Sequence, residues 1–254
     1  MKPMKIRQLP LALALALSFG LAMPVEASQA TAADSAWRFQ LTPYAWMTGL
    51  SGDVRPLAKA PTVSTSRTFG DVLDDLEGAL FMTGTARRDR WVLFGDLTWA
   101  SLGHESALAP GIAVDGKLRQ RSFTAAAGYQ VVSQPDHRLD LLAGARAWRI
   151  EAEVAVPALG FDASKTERWV DPILAARLRS AWTPEWTTIV HADIGGFGVG
   201  ADNTWQLVAT GNYQVSDALT LSAGYRHLAV DRDESGTRID VSMSGPLLGV
   251  TWRF

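Results

Sequence analysis

Apolar residues recur at every second position in ten segments of the chain, the pattern of β-strands whose two faces meet different surroundings. In the seventh segment, Trp186, Val190 and Ile194 share one face, whereas His191 and Asp193 lie on the other. Only one face of such a strand tolerates hydrocarbon. The ten segments lie near residues 36–50, 78–88, 91–103, 118–132, 138–154, 168–182, 186–195, 204–215, 218–230 and 237–254.

The links between these segments alternate between short and long, as in an up-and-down barrel with tight periplasmic turns and longer exterior loops. The short links are 88–90, 133–136, 183–185 and 216–217, and the long links are 51–77, 104–117, 155–167, 195–203 and 231–236. The chain is therefore predicted to be all-β, an antiparallel transmembrane β-barrel of about ten strands. A water-soluble, lipocalin-like barrel is the alternative.

Tryptophan placement favours the membrane-embedded barrel over the soluble one. Seven tryptophans lie at those alternate positions of their strands that are predicted to face outward. Two rings of indoles are typical of the two water boundaries of a lipid-embedded wall. The ring near the short turns contains Trp37, Trp91, Trp182, Trp186 and Trp252, and the opposite ring contains Trp99 and Trp205.

The final segment alternates apolar and small or polar residues and closes on an aromatic one. Val250, Trp252 and Phe254 share its outward face and are predicted to be the assembly signal that a barrel-assembly machinery recognises. The other expected partners are outer-membrane lipid and lipopolysaccharide. Residue patterns predict no oligomeric state.

The first 27 residues have the features of a cleaved secretory signal peptide. Lys2, Lys5 and Arg7 precede an apolar run too short for a comfortable membrane span, and a small-x-small pattern ends at Ala27. Cleavage after Ala30 and an uncleaved anchor helix are the alternatives. The barrel domain is thus predicted to be 28–254, in the outer membrane of a Gram-negative cell envelope.

Composition excludes several functions. The sequence has no cysteine, which removes lipoprotein anchoring, disulfides, thiolate catalysis and cysteine metal sites. Loss of the signal peptide moves the formal charge from −2 to −4 without creating a basic block, so nucleic acid is not an expected partner. We also expect no metal and no other cofactor.

The inward parity carries charges of both signs, which a barrel interior tolerates only when they are paired or hydrated. We interpret them as a network that fixes the strands and fills the lumen; a polar path for a small solute is the alternative. Bulky inward residues such as Phe94 and Trp148 argue against a wide pore. The predicted interior network contains Asp96, Arg146, Asp171, Arg177, Arg179, His191, Asp193 and Arg226.

Two upper regions lose the outward parity, at 149–154 and 239–243, which predicts either a β-bulge or emergence above the membrane. The first long link carries apolar residues at helical spacing from Phe69 to Leu76. This spacing predicts a short helix with Asp71 as N-cap and an end at Gly78. Such a helix would cap or plug the barrel, with ligand binding as the alternative.

Three motifs suggest chemistry, none of them strongly. His191 and Asp193 share a strand face, as at the rim of omptin-type proteases, but no second acidic cluster faces them. His104 and Ser106 have the spacing found in one class of lipid A deacylase barrels. The glycine-rich segment 195–202 lacks the helix of a phosphate loop and is better explained as a tight exterior turn. We therefore expect no enzymatic activity, and a lipid-modifying or proteolytic barrel enzyme is the alternative.

Several segments together resemble a poorly characterised family of small proteobacterial outer-membrane barrel proteins, and more distantly the OmpA and OmpW groups. The distant resemblance implies a role in membrane integrity, adhesion or the passage of small hydrophobic solutes. Neither resemblance implies a reaction or catalytic residues. The matching segments are LTPYAW, FGDVLDDL, RWVLFGDL, DLLAGARAW, WVDPILAARL, DIGGFGVGADNTWQL, AGYRHL and GPLLGVTWRF.

Overall fold

The computed structural model describes residues 36–55, 61–109 and 112–254, so the predicted signal peptide lies outside the described residues. This part of the chain contains one α-helix, α1 (Phe69–Asp74), and twelve strands. The strands are β1 (Arg38–Trp46), β2 (Gly49–Arg55), β3 (Val63–Arg67), β4 (Leu76–Arg88), β5 (Trp91–Ala109), β6 (Ile112–Ser133), β7 (His137–Val156), β8 (Phe161–Ala181), β9 (Trp186–Gly196), β10 (Asn203–Gln214), β11 (Leu219–Glu234) and β12 (Thr237–Arg253).

The sheet closes on itself as a ten-stranded antiparallel barrel, which confirms the predicted fold class. Strand β1 pairs with both β4 and β12, and each of β4 to β11 pairs with the next strand along the chain. Strands β1 and β2 form one wall, because Trp46 pairs with Leu247 and, a little higher on β12, Gly49 pairs with Ser244. The predicted segment 36–50 contains β1 and only the first two residues of β2. The rest of β2 and all of β3 lie in the predicted long link 51–77, so that part of the prediction is wrong.

The upper end of the barrel is split beside this wall. Strand β3 pairs with β2, and no ladder joins β3 to β4 in the described residues. Helix α1 connects the two strands across the split. The closed part of the barrel therefore lies in the lower half, where β1 contacts both of its neighbours.

The outer face carries the apolar band that the alternation predicted. Large apolar side chains such as Leu93, Phe123 and Leu174 are exposed there. Water-soluble proteins rarely expose so many large apolar residues together. Aromatic residues flank the band near the short turns, where Trp91 contacts Tyr129 and Trp186 contacts Tyr213. No helix in the described residues is long and apolar enough to cross a membrane.

The walls differ in height. Strand β6 has 22 residues and β8 has 21, whereas β9 has 11 and β10 has 12. About 9 to 11 tilted residues cross a bilayer, so the upper half of β5 to β8 projects beyond it. The prediction of long loops at 104–117, 155–167 and 231–236 is wrong, because most of these residues extend the strands.

The two segments at 149–154 and 239–243 keep their register, so the predicted bulges are absent. Ile150 pairs with Glu167, and Val241 pairs with Val230, without a shift on either side. The apolar residues at these heights simply point into the barrel, while charged residues take the outer face. Emergence above the membrane, the other predicted explanation, fits this arrangement.

Helix α1 begins and ends differently from the prediction. Thr68 is the N-cap, and Asp71 is the third helical residue that completes a capping box with it. The Asp71 carboxylate accepts hydrogen bonds from the Thr68 hydroxyl and the Thr68 backbone N–H. These hydrogen bonds lower the pKa of Asp71. The helix ends at Asp74, and Gly78 lies in β4 rather than at the helix end.

The C-terminal strand closes the barrel at an aromatic seam. Phe254 exchanges both backbone hydrogen bonds with Phe39, at 2.8 and 3.0 Å, and their rings stack with centroids 6.0 Å apart. Trp37 also stacks on Phe39, with ring centroids 6.4 Å apart. The predicted assembly residue thus contributes the last pair of the β1–β12 ladder.

We predict that deletion of Phe254 lowers the amount of protein in the outer membrane several-fold and leaves precursor in the periplasm. The deletion removes both the terminal pair and the exposed aromatic side chain of the closing strand. Immunoblots of fractionated cells would measure it, with Phe161→Ala, an exposed aromatic residue at the opposite end of the barrel, as the control. Undiminished insertion would contradict the prediction.

Candidate functional site

The lumen is the candidate functional site, because contacts between walls that are not neighbours occur there. Its side chains form three levels: a lower chamber near the short turns, a middle level of charged residues, and an upper chamber between the projecting walls. We call the middle level the charge layer. It contains Tyr44, Asp96, Arg146, His191, Asp193, Gln206 and Arg226.

Arg146 and Asp193 form the most buried ion pair of the charge layer, with 1% and 0% of their side-chain surface exposed. The Arg146 Nη2 donates to both carboxylate oxygens at 3.0 and 2.8 Å. Asp193 also accepts from Gln206 at 2.9 Å and contacts His191 at 3.2 Å. One carboxylate therefore binds three side chains from three different strands.

A second pair crosses the lumen between β11 and β5. The Arg226 Nη2 donates to Asp96 at 3.1 Å, and its Nη1 contacts the Tyr44 hydroxyl, which itself donates to Asp96 at 3.1 Å. The guanidinium also lies 4.7 Å from the ring centroid of Trp46. Both charges are almost fully buried, so each depends on the other for compensation.

Asp171 is fully buried but forms no ion pair in the described residues. Its Oδ2 accepts from the indole N–H groups of Trp148 and Trp169, both at 3.0 Å, and its Oδ1 accepts from the backbone N–H of Ala201 at 2.6 Å. Arg146 is its direct neighbour in the β7–β8 ladder, yet Arg146 binds Asp193 instead. Asp171 therefore holds the turn between β9 and β10 against two stacked indoles.

The glycine-rich segment supplies this turn. Gly200 has no room for a side chain, since a Cβ there would lie 2.5 Å from the Val170 carbonyl oxygen and 2.7 Å from Asp171 Oδ1. Ala201 is completely buried in the apolar cluster that contains Trp148 and Trp169. The glycines thus permit close packing into the barrel, in agreement with the predicted tight turn.

The lower chamber has a volume of about 150 Å³ and an excess of positive charge. Arg87 pairs with Asp140 and Arg226 pairs with Asp96, but no described acidic group lies within ion-pair distance of the other chamber arginines. Arg177 instead lies 5.6 Å from the ring centroid of Phe94. These other arginines are Arg138, Arg177, Arg179 and Arg253.

The upper chamber has a volume of about 230 Å³ and almost entirely apolar walls. Helix α1 contributes Val72, which lines the chamber, whereas Phe69 and Leu73 of the same helix are exposed. The helix therefore covers part of the mouth without filling the space. The apolar lining residues are Trp46, Leu50, Val54, Val72, Phe81, Ala100, Leu102, Leu118, Trp148, Ile150, Ala152, Trp169, Val230, Ile239, Val241 and Met243. The polar lining residues are Thr48, Thr65, Gln120, Lys165, Glu167 and Thr237.

The eight residues predicted as one interior network are divided between these levels. Asp96, Arg146, His191, Asp193 and Arg226 meet in the charge layer. Arg177 and Arg179 line the lower chamber, and Asp171 joins the indole cluster above. The alternation of residues identified the inward face of each strand. It does not give the height of a side chain along the barrel axis or the residue to which it binds.

Sequence reasoning missed Tyr44 and the Arg87–Asp140 pair. Tyr44 lies in the alternating LTPYAW segment, where its inward parity was the available signal. Arg87 reaches Asp140 three strands away, donating from Nη1 at 3.0 Å. No local pattern could have paired residues so distant in sequence.

The two histidine motifs that suggested catalysis lie in different surroundings. His104 contacts Asp75 through Nδ1 at 2.9 Å rather than Ser106, and both residues of the predicted pair are exposed on the projecting wall. His191 lies in the charge layer, stacked on Phe94 at 5.0 Å. No group of three or more described His, Asp or Glu residues has the geometry of a metal site.

Comparison with known proteins finds the fold but no family. No protein-family model matches the chain, and no curated protein matches it. The structure is similar to that of the outer membrane protease OmpT from Escherichia coli, with 12% identity, a TM-score of 0.54, and 89% of this chain and 99% of that chain covered. The chain thus has the fold of outer-membrane β-barrel proteins.

Two further barrels give weaker matches. The translocator domain of the autotransporter NalP from Neisseria meningitidis is 12% identical with a TM-score of 0.45, covering 87% of this chain and 89% of that domain. Ail, the attachment invasion locus protein of Yersinia pestis, is 13% identical with a TM-score of 0.40, covering 86% and 98%.

We predict that Asp193→Asn destabilises the barrel by about 3–5 kcal/mol, because Arg146 would remain buried without a counter-charge. Asp171→Asn should cost less, about 1–3 kcal/mol, since Asp171 binds only neutral donors and an amide keeps one acceptor. Thermal unfolding of the refolded protein in detergent would measure both.

The double variant Arg146→Gln with Asp193→Asn is the matched control, because it removes both charges together. It should recover part of the loss caused by Asp193→Asn alone. Small and equal losses in the two single variants would mean that water compensates Arg146.

Proposed function

We propose that the chain is an integral outer-membrane protein without enzymatic activity, whose lumen is closed by side chains at mid-height. The charge layer carries this proposal. Its two buried ion pairs differ in span: the Arg226–Asp96 pair crosses the lumen from β11 to β5, and the Arg146–Asp193 pair joins β7 to β9 in front of β8. Removal of any one partner would leave a buried charge uncompensated.

Apolar side chains fill the space beside the ion pairs. Val92, Phe94, Leu142 and Ile173 form a buried cluster on one side of the lumen, below and beside His191. A ten-stranded barrel has an interior only slightly wider than the eight-stranded barrels that side chains fill. These residues and the charge layer together leave little room for a continuous column of water.

The same arrangement favours a structural role over catalysis. The most buried acids, Asp171 and Asp193, already accept hydrogen bonds from several donors and make no approach to a serine. The similarity to a protease extends to the fold alone, and the Asp193 carboxylate beside His191 is already bound by Arg146 and Gln206. An activity would need groups arranged differently from these.

A narrow, anion-selective passage is the second candidate function. The lower chamber favours it, since four arginines with no described acidic partner would attract anions from the periplasmic side. Such a passage would need the charge layer to open. The two candidates therefore differ in whether the wild-type protein conducts ions.

We predict that the refolded wild-type protein gives no stepwise conductance in a planar bilayer. Arg226→Ala should create conducting events that prefer anions, because it removes the side chain joining β11 to β5 and leaves the lower arginines in place. Arg121→Ala, an arginine on the outer face of β6, is the control and should stay closed.

Stepwise, anion-selective conductance in the wild-type protein would replace the closed barrel with the channel. Heat-modifiable migration on gels would confirm that each variant had refolded. A closed Arg226→Ala barrel that is folded would mean that the remaining side chains, rather than this ion pair, block the lumen.

A further inference from the structure

The upper chamber reverses the usual arrangement of a transmembrane barrel. Barrel interiors are ordinarily polar, with apolar residues on the lipid-facing side. Here, Leu118 and Ile150 line the interior, while the outer face at the same height carries charges. The outer residues form ion pairs, Lys117 with Glu77 at 2.7 Å and Arg119 with Glu153 at 2.8 Å.

This reversal means that the chamber walls stand in water rather than in hydrocarbon. A barrel with a polar exterior and an apolar interior is the arrangement by which soluble barrels hold one small ligand. Side chains ordinarily fill such an interior. In this chain a volume of about 230 Å³ stays open between the walls.

The size and lining of this space restrict the ligand. An apolar cavity of about 150 Å³ excludes water and binds benzene, so the chamber suits an apolar molecule of about ten non-hydrogen atoms. Aromatic rings form much of its lining, since Trp46 lies edge-on to Phe81 at 6.0 Å and Trp148 stacks on Trp169 at 5.6 Å. Such rings bind another ring by offset or edge contacts.

One buried hydrogen-bond donor in the chamber lining lacks an acceptor among the described residues. The Trp46 side chain lines the chamber and is 6% exposed, and its indole N–H has no acceptor among the described residues. Indole N–H groups usually find a partner when buried. A ligand with a single hydrogen-bond acceptor could satisfy this donor.

The split between β3 and β4 provides a route to the chamber from the exterior. Helix α1 spans the split, and only Val72 of this helix lines the space. The floor is closed by Ala201 and the stacked indoles, with the charge layer below. Entry from the periplasm would therefore require the ion pairs to break.

We propose that the upper chamber is a binding site for a small, uncharged, mainly aromatic molecule that enters from the exterior. The proposal does not depend on the closed lumen, because binding and conductance are measured separately. A bound lipid acyl chain would have the same apolar chemistry, so the experiment must distinguish the two sources.

Equilibrium dialysis of radiolabelled naphthalene against the refolded full chain in detergent, with empty micelles as the blank, tests the site. We expect one saturable equivalent per chain. Ala152→Phe should weaken binding at least tenfold, because Ala152 lines the chamber and the added ring fills it. Ala145→Phe, on the exposed outer face of the same strand, should bind like the wild type.

Val241→Phe fills the chamber from β12 and provides a second variant should Ala152→Phe fail to refold. Naphthalene binding that is absent in the wild type, or unchanged in folded filling variants, would overturn the proposal. Displacement by a short-chain phosphatidylcholine below its micellar concentration would overturn the assignment to a free molecule in favour of an acyl chain.

Quinoline, which has the shape of naphthalene and one nitrogen acceptor, tests the role of Trp46. Trp46→Phe should lower quinoline affinity several-fold and leave naphthalene affinity nearly unchanged. Equal effects on both probes would exclude the indole N–H as a ligand contact.

Discussion

Two arginines buried inside a closed wall, Arg146 and Arg226, set the constraint on which the rest of the lumen depends. Neither side chain can turn outward, because the opposite parity of each strand faces the apolar band. Each charge therefore needs a carboxylate inside the barrel, and Asp193 and Asp96 supply one each. Tyr44, His191 and Gln206 then complete the hydrogen bonds of these carboxylates.

The arginine pairs also separate two regions of opposite chemistry. Below them the lumen is polar and rich in positive charge, with Arg177 and Arg179 near the short turns. Above them the lumen is apolar. The walls at this height project beyond the membrane, so their outer face does not have to be apolar. The change occurs along single strands: β8 contributes Arg177 below, Asp171 at the indole cluster and Trp169 above.

Alternation alone predicted the ten walls, the outward aromatic rings and the short turns, because a period of two depends only on neighbouring residues. The alternation failed where the two faces of a strand no longer differ clearly in hydrophobicity. Segments 104–117 and 155–167 mix small, charged and apolar residues, so they resembled loops although backbone pairing continues through them. The helix boundary was misplaced for a different reason, since Thr68 and Asp71 are both good capping residues and only geometry assigns their roles.

The predicted interior residues were found by parity, whereas their partners depend on barrel closure. Arg146 and Asp171 are adjacent in the ladder but unpaired, and Arg226 reaches Asp96 across 130 positions of sequence. Height along a tilted strand and position around the barrel together decide such contacts. Neither quantity is encoded in a single segment, so the division of the predicted network into separate clusters required the folded structure.

The two kinds of exterior turn differ in how much foreign sequence they can accommodate. The turn after β7, a short 3-10 helix at Pro157–Leu159 followed by Gly160, stands at the tip of a tall hairpin and is exposed. The turn after β9 is folded inward, with the Ala201 N–H bound by Asp171 and the Gly200 carbonyl bound by Arg232. A peptide displayed on the cell surface would thus belong at the first turn, since an insertion at the second would remove part of the chamber floor.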